Sequence, residues 1–191
     1  MKHLKTVIIG IVCAALVLGY FLYLSNRDNR ARNEESQSKV DAVIAMDLEN
    51  KYPKKPRAVV DAFNKILCCY YNEEYSDSDF FKMAEQQRKL LDEELLENNP
   101  EQQFLRNWRA DINDYKTNKR TIESYTICGT DEVIYKEVDG RECAYVTCSY
   151  FIKDGNDGFK NTVQRYVLRK DANGDWKILV YYIVEGEMDS E

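Results

Sequence analysis

One histidine, His3, stands at the start of the chain and none follows it. Imidazole is the usual general base of Ser-His and Cys-His chemistry and the commonest metal ligand. Those chemistries therefore have nothing to use beyond residue 3. The six cysteines do not fill the gap. Cys13 lies in an apolar run. Cys68, Cys69, Cys128, Cys143 and Cys148 form an odd set that cannot pair completely within one chain. No C-x-x-C spacing occurs. Cys68 and Cys69, adjacent on a predicted helix, point about 100° apart. The expectation is buried apolar thiols.

Carboxylates are numerous, with 33 Asp+Glu against 27 Lys+Arg. Two groups have spacing that could do chemistry. Within Asp92, Glu93, Glu94 and Glu97, the pair Glu93 and Glu97 shares a helical face, as an acid/base pair would. A solvated face is the plainer reading. Asp171-Ala172-Asn173-Gly174-Asp175 has the outline of a calcium loop. Its glycine is fourth rather than sixth, however, and the twelfth position is Tyr182 rather than a bidentate Glu, so a hairpin turn is expected. No catalytic, cofactor-binding or metal-ligating set is expected. A net charge of −6 with no concentrated basic patch argues against a nucleic-acid partner. The densest basic cluster (Lys51, Lys54, Lys55, Arg57) flanks two prolines and reads as a solvated turn.

Tyrosine is the remaining chemical resource, at 14 residues. Tyr150, Tyr166 and Tyr182, with Trp176, fall on strand positions expected to face the helices. They are the candidate pocket, with rings to stack on a ligand and hydroxyls to orient it. A core filled by aromatic rings is the alternative.

The elements that position these groups begin with Val7–Leu24. No charge occurs between Lys5 and Arg27. Eighteen helical residues span about 27 Å, close to a ~30 Å hydrocarbon core. Tyr20, Phe21 and Tyr23 suit an aromatic belt, and LGYFLYLSN offers no small-x-small cleavage site. The expectation is an uncleaved, single-pass signal anchor that places the chain in the cell membrane with the bilayer as a partner. The short tail carrying Lys2 and Lys5 favours an extracytoplasmic C-terminal domain; Arg27, Arg30 and Arg32 pull the other way. Residues 1–6 are then a tail, 7–24 a transmembrane helix, 25–39 a polar tether and 40–191 one α+β domain.

Within that domain helices are expected over about 40–119 and strands over about 121–186. Val40, Val43, Ile44 and Leu48 make a short amphipathic helix, ended by Tyr52-Pro53. Pro56 opens a second, with Val59, Phe63, Ile66, Leu67 and Tyr70 on one face. Ser76–Asp79 caps a third, whose stripe is Phe80, Ala84, Leu91 and Leu95. Asn99 caps a fourth, with Phe104, Trp108, Ile112 and Tyr115. Strands follow, joined by hairpins at Asp139-Gly140, Asp154–Gly158 and Asp171–Asp175. Ala144, Val146, Cys148, Tyr150 and Ile152, with Gln164, Tyr166 and Leu168, should face the helices. In the last strand, Trp176–Glu185, alternation puts Trp176, Ile178, Val180 and Tyr182 on one face, and Leu179, Tyr181 and Ile183 on the other. Helices first and a meander after them indicate helices packed on a twisted antiparallel sheet.

The closing Asn173-Gly174-Asp175-Trp176-Lys177-Ile178 resembles the G-x-W-x-I strand of the NTF2-like superfamily. Asn50-Lys51-Tyr52-Pro53, Tyr71-Asn72-Glu73-Glu74, Asp92-Glu93-Glu94-Leu95-Leu96, Tyr166–Asp171 and Trp176–Leu179 are similar to an uncharacterised family of bacterial single-pass proteins with such a domain. The resemblance covers about Pro56–Gly186 and implies an NTF2-like, or cystatin-like, cone between sheet and helices. Some members use the cone as an active site with Asp/His or Tyr/Asp arrangements; others bind ligands or pair through the sheet. This chain departs from the histidine-dependent enzymes. The expected function is a membrane-anchored, non-enzymatic module of the cell envelope that binds a small ligand or an envelope protein. The alternatives are a histidine-free pocket enzyme of hydratase/isomerase type and an assembly protein that forms a homodimer through the sheet.

Overall fold

The structure, a computed structural model, describes residues 2–155 and 157–184, without the side chains of residues 2–15 and of Asn26, Asp28 and Asn29. Asn156, in the middle hairpin, and Glu185, the expected end of the last strand, lie outside the described residues. Among the described residues five α-helices precede five strands in an α+β architecture: α1 (Lys2–Ile44), α2 (Pro56–Asn72), α3 (Asp77–Lys89), α4 (Glu93–Asn98), α5 (Glu101–Thr117), β1 (Arg120–Ile127), β2 (Ile134–Val138), β3 (Arg141–Asp154), β4 (Phe159–Lys170) and β5 (Trp176–Val184).

The expected N-terminal organisation is corrected. Among the described residues no helix is long and apolar enough to cross a membrane. That finding overturns the transmembrane helix over Val7–Leu24, and with it the membrane, signal-anchor and single-pass readings. The side chains up to Ala15 lie outside the described residues. Helix α1 continues without a break through Arg27, Arg30, Arg32, Glu34 and Glu35. The stretch 25–39, expected as a tether, and the short helix expected around Val40 are one continuous helix with it. Among the described side chains of α1, those at its C-terminal end pack. Val40 and Val43 are buried, the Ser36 hydroxyl accepts from the Glu74 amide at 3.0 Å, and the Gln86 amide donates to the Ile44 carbonyl at 2.8 Å.

Pro56 opens α2 at its first turn, where a missing N–H costs nothing, and the predicted stripe is buried. Ser76 and Asp79 form a reciprocal capping box at the start of α3. The expected third helix is cut short at Lys89. Leu90 and Leu91 instead reach the sheet: the Asp92 amide donates to the Ile178 carbonyl at 2.8 Å, and the Ile178 amide to the Leu90 carbonyl at 2.9 Å. Burying two adjacent leucines against β5 outweighs continuing the helix. Asp92 then caps α4, and Asn99 ends α4 rather than capping α5.

The sheet is antiparallel, ordered β1-β3-β4-β5, with β2 beside β1 on the same edge of the long β3. Asp139 and Gly140, both at positive φ, make the tight turn between β2 and β3. Ala144, Val146, Cys148 and Tyr150 of β3 and Tyr166 and Leu168 of β4 form the buried face, as expected.

The last strand departs from simple alternation. Val167 pairs with Val180 but Leu168 pairs with Ile178, so Leu179 is an extra residue. Such a bulge shifts the pleat by one. Trp176 and Ile178 face the core before it. After it the core-facing residue is Tyr181, whose ring centroid is 5.5 Å from that of Phe63 and 5.6 Å from that of Tyr166.

Candidate functional site

Between α2, α5 and the far ends of the strands lies a cavity of about 520 Å³, inside the usual range for a small-molecule site. Helical spacing builds two walls. Phe63, Leu67 and Tyr71 follow i, i+4, i+8 along α2, and Trp108, Asp111 and Tyr115 follow i, i+3, i+7 along α5. The sheet contributes Tyr150 and Ile152 from β3, Thr162 and Gln164 from β4, and Tyr181 and Ile183 from β5.

The floor is a buried polar network. The fully buried Asn64 donates from Nδ2 to the Val60 carbonyl at 3.0 Å and to Cys148 Sγ at 3.6 Å. The Tyr150 hydroxyl lies 2.5 Å from Asn64 Oδ1 and 2.5 Å from the Tyr166 hydroxyl, which in turn is 3.2 Å from Gln164 Oε1. Two phenols thus share two amide acceptors, which gives each hydroxyl of this network a partner. Burial pushes both phenols well above the ordinary tyrosine range, so they stay protonated.

At the mouth, the Tyr71 hydroxyl donates to Asp111 Oδ2. Tyr71 is buried, and that burial, followed by the bond to Asp111, raises its pKa. Its ring stacks on Tyr115 at 3.9 Å. Arg120 lies 5.9 Å from the Tyr115 ring and is tied to Asp114 and Asp154. The lining therefore combines seven aromatic rings, neutral hydroxyls and amides, and one carboxylate. These groups can orient and hold a ligand.

Of the residues predicted for a pocket, Tyr150 forms the floor and Tyr166 lies directly beneath it. Tyr182 touches only the rim. It pairs with Arg165, opposite in face to Tyr166 and Tyr181, and is 45% exposed. Trp176 sits elsewhere: its carbonyl accepts from the Tyr52 hydroxyl at 2.8 Å and its ring packs near Tyr135. The sequence reading missed Tyr71, Asp111, Tyr115 and Tyr181 as site residues. A usable signal for Asp111 was present: a lone carboxylate on the aromatic stripe, three residues after Trp108 and four before Tyr115. Tyr181 had no such signal, because one inserted residue decided its face.

Two other chemically suggestive groups, Asp92 with Arg169 and Asp171 in its hairpin, are structural. The buried Arg169 clamps Asp92 through Nε at 3.1 Å and through a second, shorter contact, and reaches Glu94 at 3.0 Å. Asp92 Oδ1 also caps α4 through the Glu94 amide. Asp171 Oδ1 accepts from the amides of Asn173 and Asp175, each at 2.9 Å, and so closes its own hairpin. Among the described residues no group of His, Cys, Asp and Glu is arranged to hold a metal. The five cysteines from Cys68 onward are free thiols.

Compared with known proteins, no curated sequence matches the chain. The family described as Domain of unknown function (DUF6715) matches it over residues 1–181.

Proposed function

We propose, from the premise that the chain belongs to the DUF6715 family, whose description carries no function, that its α+β unit is a small-molecule binding module. The observation that carries this reading is the 520 Å³ cavity, walled by aromatic rings with polar groups at its floor and mouth. The helices over the sheet face and the closing Gly174-Asp175-Trp176-Lys177-Ile178 support a place among NTF2-like domains, where such a cone serves binding in some members and catalysis in others.

Two features favour binding over catalysis. The phenols are held neutral by burial, which suits them as hydrogen-bond donors rather than bases. The Tyr71 hydroxyl is already committed to Asp111 Oδ2. The test is thermal denaturation of the full chain against a panel of small aromatic molecules carrying one polar group. Binders should raise the midpoint, and Thr162→Trp, which fills the cavity from β4, should abolish the rise. No stabilisation by any compound, or full stabilisation in the filled variant, would overturn the reading.

A second reading, homodimerisation through the outer sheet face, draws on Phe151 and Phe159, stacked at 4.9 Å with Phe159 57% exposed. Light scattering should then report a dimer that Phe159→Glu dissociates. A monomer at high concentration would remove this reading.

A further inference from the structure

We propose that the cavity selects an organic cation, an alkylammonium or quaternary ammonium head, seated against its aromatic walls with Asp111 as counter-ion. The proposal rests on the ligand-binding reading above and adds the charge of the ligand.

The lining is one-sided in charge. Its residues include no lysine, arginine or histidine, and Asp111 is its one carboxylate. Neighbouring acidic groups have cationic partners: Asp114 and Asp154 share Arg120, Asp154 also takes Lys160, and Asp61 takes Lys65. Asp111 has none among the described residues. It accepts a single neutral hydrogen bond from Tyr71 on Oδ2, which leaves Oδ1 open at the cavity mouth.

The walls suit a cation for a separate reason. The face of an aromatic ring carries negative electrostatic potential, and several rings around one volume stabilise a desolvated positive charge. Tyr71, Trp108, Tyr150 and Tyr181 surround this volume, and burial keeps the phenols of Tyr71, Tyr150 and Tyr181 neutral, so they add no charge of their own. An anion would meet Asp111 with no compensating cation. A neutral ligand would gain the apolar contact and leave the carboxylate unused. The chain's net charge of −6 favours cation approach as well. A quaternary ammonium also donates no hydrogen bond, so it leaves the Tyr150–Tyr166–Asn64 network undisturbed.

The experiment titrates the full chain, by calorimetry and by Trp108 fluorescence, with three probes of similar size: benzyltrimethylammonium, its uncharged carbon isostere neopentylbenzene, and benzenesulfonate. The expected order is cation first, by at least about tenfold over the isostere, with the sulfonate weakest. Asp111→Asn, an exposed and nearly isosteric change, should lower affinity for the cation about fivefold and leave the isostere unchanged. If the isostere or the sulfonate binds as tightly as the cation, the charge selection is wrong while the binding reading survives. Equal cation affinity in Asp111→Asn likewise removes Asp111 as the counter-ion. If none of the three probes binds in the cavity, both fall.

Discussion

Two phenols at the floor of the cavity share two amide acceptors, and removing both acceptors should cost more than the sum of the parts. The Tyr150 and Tyr166 hydroxyls are 2.5 Å apart, so one donates to the other and a single outgoing proton remains. That proton can go to Asn64 Oδ1, through Tyr150 or at 3.4 Å through Tyr166, or to Gln164 Oε1, through Tyr166. Asn64→Leu removes one exit and costs about 1 kcal/mol, the net value of an ordinary hydrogen bond. Gln164→Met removes the other and costs about 0.5 kcal/mol, because Gln164 is only half-buried. The double variant strands one O–H in a site where both rings are at most 3% exposed, which adds about 1–2 kcal/mol of desolvation. The total is about 3 kcal/mol, with a coupling energy of at least about 1 kcal/mol. Urea denaturation of the four proteins reads this directly: at a slope near 2 kcal/mol/M the double variant should unfold about 1.5 M earlier. Additivity within about 0.3 kcal/mol would refute the shared-proton network.

The bulge at Leu179 predicts that Tyr181→Ala destabilises by about 2 kcal/mol, while Tyr182→Ala stays within about 0.5 kcal/mol; equal costs in thermal unfolding would contradict the register. Ser76→Ala should cost about 1 kcal/mol by removing the capping box of α3. The Ser76 hydroxyl holds the Asp79 carboxyl below its ordinary pKa, so the carboxylate's share of this stabilisation is present at neutral pH and is lost as pH falls below about 4 through the lower folded value, while the Asp79 amide's bond to the Ser76 hydroxyl stays. A stability difference between wild type and Ser76→Ala that persists undiminished at pH 2 would count against it. Cys148, fully buried, has its thiol pushed up to about 11, chiefly by burial. It should resist alkylation at neutral pH until the chain unfolds; rapid labelling in the native state, read by peptide mass mapping, would show that β3 opens locally.

Where periodicity alone decided the outcome, the sequence was legible. The α2 stripe from Val59 to Tyr70, the Ser76 cap, the Asp139-Gly140 turn and the buried face of β3 all follow from local spacing and local chemistry. Three features were not legible, each because a non-local contact decides it. Leu90 and Leu91 leave their helix to reach Ile178, nearly ninety positions away. Tyr181 replaces Tyr182 on the inner face because one residue is inserted opposite β4. Trp176 has the aromatic character of a pocket residue but lies at the end of β5 remote from the cavity. The apolar run at Val7–Leu24 misled in the opposite way: composition pointed to a membrane span, whereas α1 is one helix whose described apolar stretch gives way to charged residues after Leu24. Asp111 lies between these cases, since its position was readable but its significance depends on the rings that other elements bring to it.

The central claim is that the cavity between α2, α5 and the sheet receives a ligand. A crystal structure of the full chain grown with benzyltrimethylammonium tests it most directly. The account predicts the cation inside the cavity, its ammonium group nearest Asp111 Oδ1 and its methyl groups against Tyr71 and Tyr181. A cavity closed by its own side chains, or a cation seated only on the outer face beside Phe159, would contradict it.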